Sequence, residues 1–183
     1  ESVKHIDIRA FSYCNNLSSI TFLGSVTKVG NWAFEGTIWW NNKPNGVVYL
    51  NDVLYTYKGT MPENTSIVIE DYTTTICDKA FDYCYGLTSV TIPSSVTSIG
   101  AGAFSNTGLT ELIIPEGVTN IGGYAFENCY NLTSVTIPQS ITSISEGTFL
   151  NCSSLNSLTI GDSVTHIGAR AFEMCNSLTS LVI

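Results

Sequence analysis

The two histidines of this chain, His5 and His166, stand at the same offset of a repeated sequence unit, about seven units apart. Acyl transfer by a Ser-His-Asp or Cys-His set needs an imidazole beside its nucleophile, so such a set has almost nowhere to form. Five of the six cysteines (Cys14, Cys84, Cys129, Cys152, Cys175) share one repeat position, and no Cys-x-x-Cys occurs, which argues against structural zinc. A small buried thiol closing a turn fits that position. A spacing of ~4.8 Å between stacked units also exceeds the ~3.5–4.5 Å between Cβ atoms that a disulfide prefers, so free thiols are expected over bridges. Cys77 lies outside this column and is expected to be the exposed thiol.

The acids Asp82, Glu127 and Glu173 recur one residue after a repeated Phe and read as a solvated edge, with too few converging oxygens for calcium. A carboxylate-pair hydrolase would need two acids about 5–10 Å apart in a cleft, and a stack of short units rarely makes one. No catalytic residue, metal or cofactor is therefore expected. Asn-x-Ser/Thr triplets at Asn16, Asn64, Asn131 and Asn151 match a glycosylation pattern, mostly as by-products of the repeat. The chemistry that remains is recognition by aromatic groups. Trp39, Trp40, Tyr83, Tyr85 and Tyr130 are the candidate ligand-binding residues, able to stack on sugar rings or anchor a protein. The alternative is that both tryptophans fold under a hairpin and seal the stack, because isolated hairpins need apolar support.

These side chains are placed by a unit of about 23 residues. Its clearest copy runs Val118-x-x-Ile121-x-x-x-Ala125-Phe126-x-x-Cys129-x-x-Leu132-x-x-Val135-x-Ile137-Pro138. The Phe column (Phe11, Phe34, Phe81, Phe104, Phe126, Phe149, Phe172) has intervals of 23, 47, 23, 22, 23 and 23 residues. A unit this short cannot bury its own apolar face, so copies must stack into a solenoid. Leu132, Val135 and Ile137 alternate as a short strand that Pro138 ends; a second short strand leads to the bend at Gly122. Ala, Phe, Cys and Leu then recur at helical offsets, which predicts a helical turn, although a 3₁₀ turn or an irregular arc satisfies the same spacing.

Between Phe34 and Ile67 the chain is 24 residues longer than a regular copy. Val47–Leu50, Asn51-Asp52 and Val53–Tyr57 predict a β-hairpin inserted at one edge, near residues 35–64. The outward sheet column (Thr21, Val68, Thr91, Ile113, Thr136, Thr159, Val182) is flanked by Ser19, Ser66, Ser89, Glu111, Ser134, Ser157 and Ser180. It lacks the Tyr, Trp and Arg anchors of a binding face and reads as a solvated Ser/Thr ladder.

At these residues the chain resembles the BspA-type leucine-rich repeat family, bacterial and protist surface proteins. The matching words are Ser95-Val-Thr-Ser-Ile-Gly-Ala-Gly-Ala-Phe104 and Ala125-Phe-Glu-Asn-Cys-Tyr-Asn-Leu-Thr-Ser-Val-Thr-Ile-Pro138, with their copies over residues 1–34 and 65–183. The Trp-Trp-Asn-Asn-x-Pro-x-Gly segment resembles an island seen in relatives from Bacteroides-like bacteria. The resemblance implies an α/β leucine-rich repeat solenoid: a parallel β-sheet, short second strands, short helical turns and the inserted hairpin. It also implies an extracellular or cell-surface location, secreted or envelope-anchored, and adhesion to host matrix proteins or other cells.

Composition adds bounds. At 19.8 kDa and 44% apolar residues, one domain over 1–183 of about seven repeats is expected, acting as a monomer. Only 12% of residues are charged, the net charge is −8, and no Lys/Arg stripe exists, so nucleic acid is not an expected partner. No apolar run reaches the 18 or more residues of a membrane span. Glu1 opens on a repeat boundary and Ile183 closes inside a strand pattern, which reads as cut or processed ends, so a missing leader or anchor carries no weight. A non-catalytic module binding an extracellular protein or glycan is the expected function. A ligand-free spacer and a carbohydrate- or peptide-processing enzyme are the alternatives.

Overall fold

The computed structural model describes residues 3–24 and 26–181; Val182 of the outward column lies outside them. Every repeat contributes one rung to a β-solenoid of about seven turns. Two columns of strands run along it. The longer strands are β5 (Thr65–Val68), β7 (Leu87–Thr91), β9 (Glu111–Ile113), β11 (Ser134–Ile137) and β13 (Ser157–Ile160). β5 pairs with β7, and β9 with β11 with β13, all in parallel with like opposite like: Val135 faces Leu112 on one side and Leu158 on the other. Alternation places Leu112, Val135 and Ile137 inside while Ile113, Thr136 and Thr159 face solvent, as a half-buried parallel strand requires.

The second column consists of two-residue strands. These are β1 (His5–Ile6), β2 (Lys28–Val29), β6 (Thr75–Ile76), β8 (Ser98–Ile99), β10 (Asn120–Ile121), β12 (Ser143–Ile144) and β14 (His166–Ile167). After β2, β8, β10 and β14 the chain bends at a glycine where the backbone packs directly on the preceding rung. At Gly100 an added Cβ would sit 2.4 Å from the Asp78 nitrogen, and at Gly122 2.4 Å from that of Ala101, so glycine is required there.

The expected helical turns are not helices. Each rung that carries a Phe of the column makes two successive β-turns with a left-handed residue third in the turn, the type II signature. Lys79 (φ 58°) and Tyr83 (φ 61°) are one such pair, and Arg170 (φ 59°) and Met174 (φ 60°) another. The turns close through Ala80 N–H to Cys77 O and Cys84 N–H to Phe81 O. A left-handed residue every fourth position interrupts helical hydrogen bonding, so the Ala-Phe-x-x-Cys spacing arises from paired turns instead. Among the described residues the one helix is α1 (Ile38–Asn41), capped by the Thr37 hydroxyl accepting from the Trp40 N–H at 3.0 Å.

The hairpin expected near residues 35–64 forms, but its second strand belongs to the stack. β3 (Gly46–Leu50) and β4 (Val53–Lys58) pair antiparallel across Asn51-Asp52, yet β4 is itself a rung. Val53 and Leu54 pair in parallel with Thr75 and Ile76, and the Tyr57 N–H donates to Ala80 O at 2.8 Å as other rungs' Phe N–H groups do. Tyr57 thus takes the vacant place in the Phe column, and the 47-residue interval is filled by a rung reached along a different path. Where that path leaves a corner open, Lys28 and Asp78 meet at 3.0 Å, linking the rungs on either side.

Phenylalanine rings form the spine. Phe81, Phe104, Phe126, Phe149 and Phe172 stack face to face at centroid spacings of 5.2–5.5 Å and interplanar angles of 3–13°. Phe11 and Phe34 stack separately at 5.6 Å. At the β4 rung the run breaks: Tyr55 meets Phe34 edge-on and Tyr57 lies tilted against Phe81. The buried core divides there into a cluster from Ile6 to Tyr55 with Cys77 and a larger one from Leu54 onward.

The cysteine column has a hydrogen-bonding role. The thiols of Cys129, Cys152 and Cys175 each donate to the Phe carbonyl one rung back, at 3.2–3.3 Å. Where Cys is absent, the Thr37 and Thr107 hydroxyls donate to the Phe34 and Phe104 carbonyls. Cys77, expected to be exposed, is buried against the Val29 backbone because the displaced β4 rung leaves room for its side chain. Burial pushes the Cys77 and Cys84 thiols up to about 12. In native protein at pH 8, iodoacetamide is expected to label the exposed Cys14 first, with Cys77, Cys84, Cys129 and Cys152 reacting only after unfolding, as intact-mass counting will read. Thiols that ionise more readily unfolded than folded favour unfolding, so stability should fall as pH rises from about 9 towards 12.

Candidate functional site

The outward sheet face is small and polar, and the threonine column beside its serine flank is engaged. Thr88, Thr110 and Thr133 each donate to the backbone carbonyl one rung back, at 3.1–3.4 Å, forming a structural ladder. Val68 and Ile113 stand exposed on that face among threonines.

The turn edge differs. Its left-handed positions carry an amide ladder: Asn151 donates to Asn128 at 2.9 Å, Asn128 to Asn106 at 3.0 Å, and Asn106 to Asp82 at 3.3 Å. At the equivalent position Tyr83 replaces the amide, with its ring 63% exposed and edge-on to Tyr85, itself 66% exposed, at 5.9 Å. Tyr130 is exposed two rungs on, its hydroxyl 3.5 Å from the Asn151 amide. Of the acid column, Asp82 meets Lys79 at 3.8 Å and Glu173 meets Arg170 at 2.6 Å, and the Arg170 contact holds the Glu173 carboxyl below its ordinary range.

Trp39 and Trp40 lie elsewhere. Both are half-buried on α1, Trp39 edge-on to Phe34 at 5.3 Å and Trp40 edge-on to Tyr55 at 6.0 Å. They pack against the first core beside β4 while staying partly exposed, and no ring contact joins them to Tyr83 or Tyr85. The Lys58 ammonium fixes this arrangement: it sits 5.1 Å from the Trp40 ring centre and donates to the carbonyls of Trp40, Asn41 and Lys43 at 2.7, 3.2 and 2.6 Å. It thereby satisfies the C-terminal carbonyls of α1.

Sequence reasoning missed Trp32. It holds a left-handed backbone (φ 57°), is 43% exposed, and faces a cleft of about 180 Å³ shared with Asn31, Glu35, Trp40, Tyr57 and Lys58. Its signal was legible as the bulkiest residue at the repeat position that holds Gly102 and Gly147 in other copies.

Rung geometry, ring spine and turn pairs describe one repeated unit, and residues 1–51 and 54–183 match the BspA type leucine rich repeat region in six copies. The chain belongs to the BspA-type leucine-rich repeat family. Among solved structures, this BspA-type solenoid is similar to a leucine-rich repeat protein of T. pallidum, with 25% identity and a TM-score of 0.61, covering 96% of this chain and 72% of that one. A leucine-rich repeat protein from Bacteroides ovatus is 25% identical at a TM-score of 0.52, over 98% of this chain and 58% of that chain. One from Eubacterium ventriosum, 21% identical over 96% of this chain and 69% of that chain, shares the fold at a TM-score of 0.50. No curated protein matches the BspA-type chain. Among the described residues no helix is long and apolar enough to cross a membrane, and no group of three metal-ligating side chains occurs.

Proposed function

We propose that residues 1–183 act as one non-catalytic, cell-surface adhesion domain that binds an extracellular protein through the tyrosines of its turn edge, Tyr83, Tyr85 and Tyr130. Trp39 and Trp40, packed against the other core cluster, stand apart from this edge. The observation that carries the reading is Tyr83 itself. A left-handed backbone costs a tyrosine about 1 kcal/mol or more; Gly36, Asn106, Asn128 and Asn151 fill that position in other rungs, and Tyr13 and Met174 share it in the first and last rungs. A ring held there yet mostly outside the core does not repay that cost by packing, and strained positions of this kind concentrate where a surface does work. With Tyr85 edge-on beside it, the pair presents two rigid amphipathic anchors of the type that dominates protein interfaces. Membership of a family of bacterial surface proteins supports the location.

The test is a double variant, Tyr83→Asn with Tyr85→Ser, assayed against immobilised host matrix proteins. Affinity should fall about 30-fold, the loss of a hot spot. Stability should hold or rise by about 1 kcal/mol as Asn relieves the backbone. Undiminished binding by a folded double variant refutes the assignment of the tyrosine edge.

A further inference from the structure

Beyond the tyrosine edge, and sharing none of its residues, the cleft between Trp32 and Trp40 has the composition of a small-ligand site. Two of the three tryptophans in the chain line it, with Tyr57 between the rungs. Trp32 is held in place despite a backbone conformation that bulky residues avoid. At about 180 Å³ the cleft is smaller than the ~300–1,000 Å³ pockets of drug-sized ligands and suits a single ring.

The polar groups narrow the ligand further. Lys58 lines the cleft, but its three donors are committed to the carbonyls of Trp40, Asn41 and Lys43. The Glu35 carboxylate is half-buried and has no hydrogen bond or ion pair among the described residues. Asn31 accepts from the Trp32 N–H through Oδ1 at 3.0 Å, which leaves its Nδ2 to donate. The walls are thus aromatic, and the lining side-chain groups without a hydrogen bond among the described residues include the Glu35 carboxylate, the Asn31 Nδ2 and the Tyr57 hydroxyl. A cationic ligand meets Lys58 in the cleft, 5.1 Å from the Trp40 ring centre, while the Trp32 ring is already engaged by Arg9 at 5.1 Å from outside the cleft lining, so both indoles already carry a cation. An anionic ligand meets Glu35. A neutral polyhydroxylated ring meets neither repulsion: a C–H face lies against the aromatic wall, one hydroxyl donates to Glu35, and another accepts from Asn31. We propose that the cleft bounded by Trp32, Trp40, Tyr57, Glu35 and Asn31 binds a single neutral hexopyranose, as a free sugar or the terminal unit of a glycan.

The test is a tryptophan-fluorescence titration of the intact chain with methyl glucoside, methyl galactoside, methyl mannoside and N-acetylglucosamine. Methylguanidine and glucuronate serve as cationic and anionic comparisons. At least one neutral pyranose should bind saturably with a Kd on the order of 1 mM, as few contacts allow. Trp32→Gly should weaken that binding about tenfold or more while the melting temperature holds or rises, since glycine accepts the left-handed backbone. Glu35→Gln, which keeps the shape and removes the anionic acceptor, should weaken it several-fold, and Tyr83→Asn with Tyr85→Ser should leave it unchanged. Absence of saturation with every neutral sugar, tighter binding of methylguanidine or glucuronate, or full affinity in a folded Trp32→Gly protein each overturns the assignment. None of these results bears on the tyrosine edge, whose matrix-protein assay fails or succeeds separately.

Discussion

Phe126→Ala is expected to cost about 3–5 kcal/mol of stability, the largest loss from any single truncation in the molecule. Its ring is fully buried between Phe104 at 5.4 Å and Phe149 at 5.2 Å, nearly parallel to both. Removing it empties a space shared by two rungs and strips a stacking face from each neighbour, and β-strands on either side prevent collapse into the gap. In a stacked array each rung contacts only its neighbours, so the damage weakens two interfaces at once. For a chain of this size the melting temperature should drop by roughly 10 °C or more. Phe172→Ala, at a half-exposed ring stacked on one side only, should cost markedly less. Equal losses from the two variants, measured by urea unfolding, would show that the spine does not carry the core.

Lys58→Met is expected to cost about 2–3 kcal/mol: a hydrogen bond to a charged group is worth ~1.5–3 kcal/mol, and at a partly exposed ammonium water takes over much of what the three carbonyls lose. Methionine keeps most of the stem over Trp40, so the loss isolates the ammonium. A four-residue helix has no stability of its own, and without the cation its C-terminal carbonyls compete for water. The variant should therefore show a red-shifted tryptophan emission as well as a lower melting temperature. Lys43→Met is the control: Lys43 Nζ lies 4.7 Å from the Trp39 ring centre, and its loss should cost only about 0.5–1 kcal/mol.

The columns were legible because stacking forces like onto like: Ile, Phe, Cys and Leu recur at one spacing since each must sit beneath its own kind. What was hidden is backbone conformation. Arg9, Tyr13, Lys79, Tyr83, Tyr124 and Met174 all adopt positive φ, and nothing in those residue types announces it. Their periodicity imitates a helix because two type II turns place residues at nearly the same offsets. The β4 rung was missed for a different reason. Tyr57 stands 23 residues after Phe34 and 24 before Phe81, so the period was present, but the Ala-Phe word was not, and Tyr-Thr-Tyr reads as hairpin. Burial of Cys77 followed from the same displaced rung. At the candidate sites, Tyr83, Tyr85 and Tyr130 were legible as exposed aromatics, whereas Trp39 and Trp40 could not be separated from them without knowing that α1 turns the indoles inward.

The interruption of the ring spine at Tyr57 makes the molecule a jointed rod. Load applied along its axis, or a slow rise in denaturant, will part it first where face-to-face stacking gives way to edge contacts, leaving the longer segment standing. Asn31, Trp32 and Glu35 belong to one side of that joint, Tyr57 and Lys58 to the other. A guest seated between them acts as a splint, so occupancy and resistance to pulling rise together.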